Sequence, residues 1–294
     1  QKRTTTSGDD AISNGAIALN SLQRQIQQSG WGITDYRIVG CPVTGLSEVA
    51  GVMDIPLVPV TINHPSISTN AIRDANTDTL LVVSGNGNNA VNGDFVRSVP
   101  GVGGVVTDPT HYVMHAPITF SLDDWVVPAP RERVVSCRPS PPAVAYPPSS
   151  LKAMKVIPPA PVAGGAITVA GAGYDVNPQD WVFNLGPQPT VQAYAIRGGN
   201  LSVCNFRKSN CADATNGVWT PIANNVVSLR AQYGRDTTDT AVALQESRMD
   251  GVVDVWDQAS LWRQATWTSG SVNSVAAKDT PACAVLRVTT VRIA

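Results

Sequence analysis

Charge is scarce in this chain. Asp, Glu, Lys and Arg make up 15% of residues and nearly cancel, leaving a formal net charge of −1. That balance excludes the electrostatic footprint of a nucleic-acid binder or of a protein held on an anionic membrane. Long apolar runs are also lacking. No window approaches the roughly 18 consecutive apolar residues of a membrane helix, and no charged-then-apolar signal segment is visible. The chain opens at Gln1 and closes at Ala294 inside an alternating pattern, so both ends are expected to be cuts in a longer protein. There are only three histidines, there is no G-x-S-x-G elbow, and no carboxylate pair stands out as an acid/base couple. An enzyme is not expected.

What the chain has is apolar content and turn chemistry. Hydrophobic residues reach 43% of 294, enough for a sizeable core, and Gly (24) and Pro (22) are plentiful. That mixture suits many short strands joined by turns. The exception lies at the start. Over residues 9–29, Ile12, Ala16, Leu19, Leu22 and Ile26 recur at steps of three and four, which lines one face of a helix and predicts a packing stripe. Gly30 sits where helices stop.

After Trp31-Gly32 the texture changes to β-type runs at 57–62, 79–83, 112–114, 118–120, 166–170, 181–185, 191–196, 226–233 and 285–293. In the last run Val285, Arg287, Thr289, Val291 and Ile293 share one face. Residues 136–161 are the richest in proline and read as an extended, exposed crossing. It either divides two β subdomains or forms a long loop of one domain, and the single domain is preferred. The division of the chain is therefore residues 1–30, a helix, and residues 31–294, a β-rich globular body.

Cys204 and Cys211 bracket six mostly polar residues, a spacing suited to a loop closed by a disulfide. Chain entropy gives such a ring about 2.5 kcal/mol, and the pairing implies an oxidising compartment. Among Cys41, Cys137 and Cys283 the sequence does not choose a pair.

Several apparent motifs dissolve on inspection. Gly85-Asn86-Gly87 imitates a dinucleotide-binding turn, but the required helix does not follow, so a glycine-rich hairpin is expected. His111 and His115 have a helical ligand spacing but lie in an extended run, so these and His64 are expected as surface or interface residues. Asp236, Asp239, Asp250, Asp254 and Asp257 could gather oxygen ligands for calcium without forming an EF-hand, the alternative being a solvated acidic loop. No other cofactor is expected. Trp125, Trp181, Trp219, Trp256, Trp262 and Trp267 could be stacking platforms for a ligand or, more simply, core residues.

Five segments taken together carry a family resemblance: RTTTSG at 3–8, NGAIAL at 14–19, LQRQIQQSG at 22–30, IANNVVSLRAQYG at 222–234 and AVLRVTTVRIA at 284–294. In order and separation they resemble the PilW family of type IV pilus minor pilins. An Asp-rich stretch follows Tyr233-Gly234, interrupted by residues 240–249. The resemblance implies an α+β, pilin-like fold: one long N-terminal amphipathic helix packed on an antiparallel β-sheet, with extended β-rich insertions and a Tyr-Gly turn. It implies a structural, non-enzymatic role in initiating pilus assembly at or near the tip. The implied partners are other minor pilins, the major pilin and a tip adhesin. The full-length protein would be anchored in the inner membrane of a Gram-negative bacterium by a missing N-terminal helix, with a periplasmic domain that later joins the extracellular pilus. A type II secretion pseudopilin and a free secreted carbohydrate-binding β-domain are the alternatives.

Overall fold

The computed structural model of the chain describes residues 2–49, 54–87, 93–99, 101–102, 105–106, 110–131, 151–161, 165–171, 176–215, 218–237, 249–258 and 281–294. It begins with α1 (Lys2–Gln27). Then come β1 (Pro42–Thr44), β2 (Ile55–Pro56), β3 (Val60–Ile62), β4 (Leu80–Ser84), β5 (Asp94–Ser98), β6 (Gly101–Val102), β7 (Val105–Val106) and β8 (His111–Met114). A short 3-10 turn (Pro117–Thr119) precedes β9 (Trp125–Ala129), β10 (Leu151–Lys152), β11 (Met154–Ile157), β12 (Ala166–Val169), β13 (Trp181–Gly186), β14 (Thr190–Arg197) and β15 (Asn200–Asn205). The chain closes with β16 (Thr220–Asn224), β17 (Ala231–Arg235), β18 (Val255–Asp257), α2 (Pro281–Leu286) and β19 (Val288–Ile293).

Two assemblies dominate. A five-stranded antiparallel sheet runs β16-β15-β14-β4-β3. Its alternate side chains enter two different cores. Leu81, Val83, Val191, Ala193 and Ala195 pack with Ile33, Leu57 and Phe206, while Leu80, Val82, Tyr194 and Ile196 pack with Ala18 and Leu22 of α1. Burial of both faces explains why Leu80-Leu81-Val82-Val83 is an unbroken apolar run and not an alternating one. The second assembly is a closed barrel, β11-β12-β8-β5-β13-β9, filled by Val96, Tyr112, Met114, Val126, Met154 and Ile167 among others. A small sheet, β18-β17-β19, lies beside the core that holds Ala18 and Leu22. Two further sheets are β10-β1-β2 and β6-β7.

This architecture corrects the expected α+β, pilin-like plan. Among the described residues strand outweighs helix, and the strands are shared among several sheets and a barrel. The long helix is a minor part, touching the core of Leu80, Val82 and Tyr194 through Ala18, Leu22 and Ile26.

Several local expectations are corrected too. The run at 118–120 is not a strand, because Pro117 opens a 3-10 turn there. Residues 281–286 are helical, so the final strand starts at Val288 and not at 285. Within the proline-rich stretch, β10 pairs with β1 and β11 pairs with β9 and β12, with Leu151, Met154 and Val156 buried. An exposed crossing therefore does not hold for residues 151–157, and residues 136–150 lie outside the described residues. Strands β4 and β5 are not partners, so Gly85-Asn86-Gly87 makes no hairpin and leads from sheet to barrel. Tyr233-Gly234 is not a turn. Gly234 is paired inside β17, where an added Cβ would stand 2.6 Å from Thr290 Cγ2.

Candidate interaction surfaces

Polar groups inside the body mostly hold loops. Asp74 accepts the Gly198 and Gly199 N–H groups, Asp124 accepts Ser121 N–H and Asn184 Nδ2, and Asp180 accepts Arg131 and Asn177 N–H. Asp78 accepts from Ala231 N, Gln258 Nε2 and Asn63 Nδ2, joining the small sheet to the large one. Tyr233 does the same from the other side. Its hydroxyl accepts from Ile62 N at 2.7 Å and donates to Val60 O at 3.0 Å, and complete burial holds its pKa above the usual tyrosine value. These carboxylates and hydroxyls are spread across the fold and do not converge on one cleft.

The histidines are likewise separate. His111 lies on β8, with Nδ1 3.1 Å from Thr110 Oγ1. His115 stacks on Phe95 at 4.7 Å and stands 3.7 Å from an Asp94 oxygen. His64 departs from the expected surface position. It is buried, its Nδ1 accepts Ser66 N–H, and desolvation lowers its pKa to about 4.

Nor do the aspartates proposed for calcium gather. Buried Asp236 accepts Gly251 N–H, Asp250 accepts Val252 N–H, and Asp254 accepts Thr237 N–H. Asp257 makes a two-point ion pair with Arg235, whose side chain is fully buried. Asp239 lies outside the described residues. Among the described residues no group of three or more acidic, histidine or cysteine side chains could hold a metal ion. Cys204 and Cys211 form a disulfide. It closes the loop after β15 against the central core, where Cys211 O accepts from buried Trp219 Nε1.

Arginines occupy the rings of all four described candidate tryptophans. Arg207 lies over Trp125 at 5.1 Å, Arg37 over Trp181 at 4.3 Å, Arg197 over Trp219 at 5.2 Å and Arg292 over Trp256 at 4.3 Å. These are cation–π contacts within the protein. Burial lowers the pKa of Arg197 and Arg207, opposed by Asp74 and Glu48 respectively. Trp262 and Trp267 lie outside the described residues. The tryptophan that the sequence reading passed over, Trp31, is 48% exposed. Its signal was its place just after the helix stop at Gly30, where a core residue is not required.

Surfaces, then, are what the molecule offers. On α1 the buried positions are Ala18 and Leu22, with Ile26 partly buried; Ala16 and Leu19 of the predicted stripe are exposed, and the side chain of Ile12 lies outside the described residues. The packing line thus runs at steps of four through an alanine that gave no apolar signal. It leaves Ile17 59% and Leu19 46% exposed. Between the end of α1 and β19 lies an apolar groove of about 350 Å³, bordered by Ile26, Val58, Val60, Tyr233, Val285 and Val288. Among the described residues no helix is long and apolar enough to cross a membrane. No family model, curated protein or solved structure matches the chain.

Proposed function

We propose that the chain is an assembly subunit of a type IV pilus, a minor pilin of PilW type that works by stoichiometric packing and performs no turnover chemistry. The observation that carries this reading is α1. Ala18 and Leu22 clamp it to the body while Ile17 and Leu19 stay outside, as a helix that packs a partner on its free side requires. The sequence resemblance at the two ends adds support. A few copies nucleate or cap the filament through this helix. Loops contact other minor pilins, the major pilin and a tip adhesin, after a periplasmic stage at the inner membrane. A pseudopilin of type II secretion would use the same helix.

The test is deletion of the gene and complementation with Ile17→Ser/Leu19→Ser. Deletion is expected to lower surface pili and motility, and the double variant is expected to fail to restore them while accumulating normally. Normal piliation in the deletion strain would overturn the pilus reading. Full rescue by the double variant would remove the role of the helix face.

A further inference from the structure

A second surface lies across the end of α1, and nothing in the pilus reading uses it. Gln25, Gln28, Trp31, Ser84, Asn86 and Thr190 line an open cleft of about 550 Å³. Its described lining carries no charged side chain. Trp31 forms one wall. Its indole Nε1 donates to Gly87 O at 2.8 Å, and its own carbonyl accepts Gly85 N–H at 2.8 Å, so the ring is held at both ends of the residue. The Gly85 position tolerates nothing larger, since a Cβ would lie 2.8 Å from Trp31 O and 2.9 Å from Leu185 O. Asn86 is fixed as well, its Oδ1 accepting Gln188 N–H at 2.9 Å, which leaves the amide Nδ2 as a donor. The Ser84 hydroxyl ties the sheet to the helix end through Gln28 O. Among the described residues no arginine covers this indole, in contrast to Trp125, Trp181, Trp219 and Trp256.

We infer that this cleft binds a neutral oligosaccharide, with Trp31 as the stacking platform. A pyranose ring presents a face of C–H groups to an aromatic plane, and its equatorial hydroxyls point outward as paired donors and acceptors. An indole supplies the apolar face. Side-chain amides and hydroxyls are both donors and acceptors, and so match hydroxyl groups of either orientation. An anionic glycan or an acidic peptide would call for cations, and the described lining has none. A fixed ring loses little freedom on binding, which favours recognition by a few contacts. The inference stands apart from pilus assembly: binding is a property of the isolated chain, and piliation is not.

The test is titration of the full chain with maltohexaose, cellohexaose and chitohexaose, with a sulfated heparin hexasaccharide as the charged comparison. The readouts are tryptophan fluorescence and the Trp31 indole N–H resonance. At least one neutral hexasaccharide is expected to shift that resonance saturably. Trp31→Ala is expected to weaken binding about tenfold or more, equivalent to about 1.4 kcal/mol, while Trp31→Phe retains part of it. Gln28→Ala, at an exposed position, is expected to weaken binding several-fold. Absence of a saturable shift with all three neutral sugars up to about 10 mM, weaker than any useful recognition, overturns the inference. So does tighter binding of the sulfated sugar, or undiminished binding by both Trp31→Ala and Gln28→Ala.

Discussion

The barrel and the helix-bearing side of this molecule solve the same problem in opposite ways. In the barrel six strands pair in a ring, so each backbone edge is used and the side chains of Tyr112, Met114, Val126 and Ile167 are fully buried. On the other side β3 and β16 end the large sheet, and β18 and β19 end the small one. Apolar side chains of α1 remain in solvent there. A closed barrel has little to offer a partner except its rim. Open sheet ends, an apolar groove and a half-covered helix offer a great deal. On the proposed reading, structural stability lies on one side and association on the other.

The largest expected effect tests what holds the open side together. Arg235 is fully buried and reaches Asp257, while its Nη1 has no hydrogen-bond partner among the described residues. Asp257→Ala should cost about 3–5 kcal/mol, because it leaves a buried cation uncompensated. Urea unfolding measures this, and a change below about half a kilocalorie, the range of ordinary surface substitutions, would mean that solvent reaches the guanidinium.

The next effect depends on pH and also belongs to the open side. His64 has a folded pKa of about 4, below its ordinary value, so the unfolded chain takes up a proton that the folded chain refuses. Stability contributed by this site is intact near neutrality and is lost as pH falls from about 6.5 to 4, on the order of 3 kcal/mol in all. His64→Gln should flatten that part of the stability profile relative to the parent chain. Equal acid sensitivity of the two proteins would assign the loss to carboxylates.

A pair of substitutions on one helix gives the sharpest contrast, and its Leu19 arm the smallest effect. Leu22 is 3% exposed, so Leu22→Ala should cost about 2–5 kcal/mol. Leu19→Ala should stay within about half a kilocalorie. Equal costs would mean that α1 is rotated from the orientation described.

Much of the β-rich body was legible because apolar runs persist wherever a strand is buried on both sides, as in Leu80–Ser84, Trp181–Gly186 and Thr190–Arg197. What escaped were strands whose polar residues are buried for local reasons. Strand β5 begins with buried Asp94, whose carboxylate accepts Ala116 N–H, and β15 interleaves Asn and Ser with Leu201 and Val203. A turn signal did exist for β15: Gly198-Gly199, both at positive φ, makes the two-residue connection to β14. Strand β11 was hidden by the prolines that follow it. The fold class was misjudged for a different reason. The two ends that carry the family resemblance say nothing about how the 190 or so residues between them fold. The aspartates crowded in sequence serve separate backbone N–H groups and one arginine, an outcome that composition alone does not encode. The Trp31 cleft was illegible because Ser84, Asn86 and Thr190 meet the end of α1 only through the sheet.

On the proposed reading, partners meet the helix side and not the barrel. A photo-crosslinking residue placed in living cells at Leu19, and separately at Ile118, tests it directly, because Ile118 beside the barrel is 66% exposed, more than Leu19. A discrete crosslink to another filament subunit is expected from position 19 and none from position 118. Crosslinks from position 118 alone would contradict it.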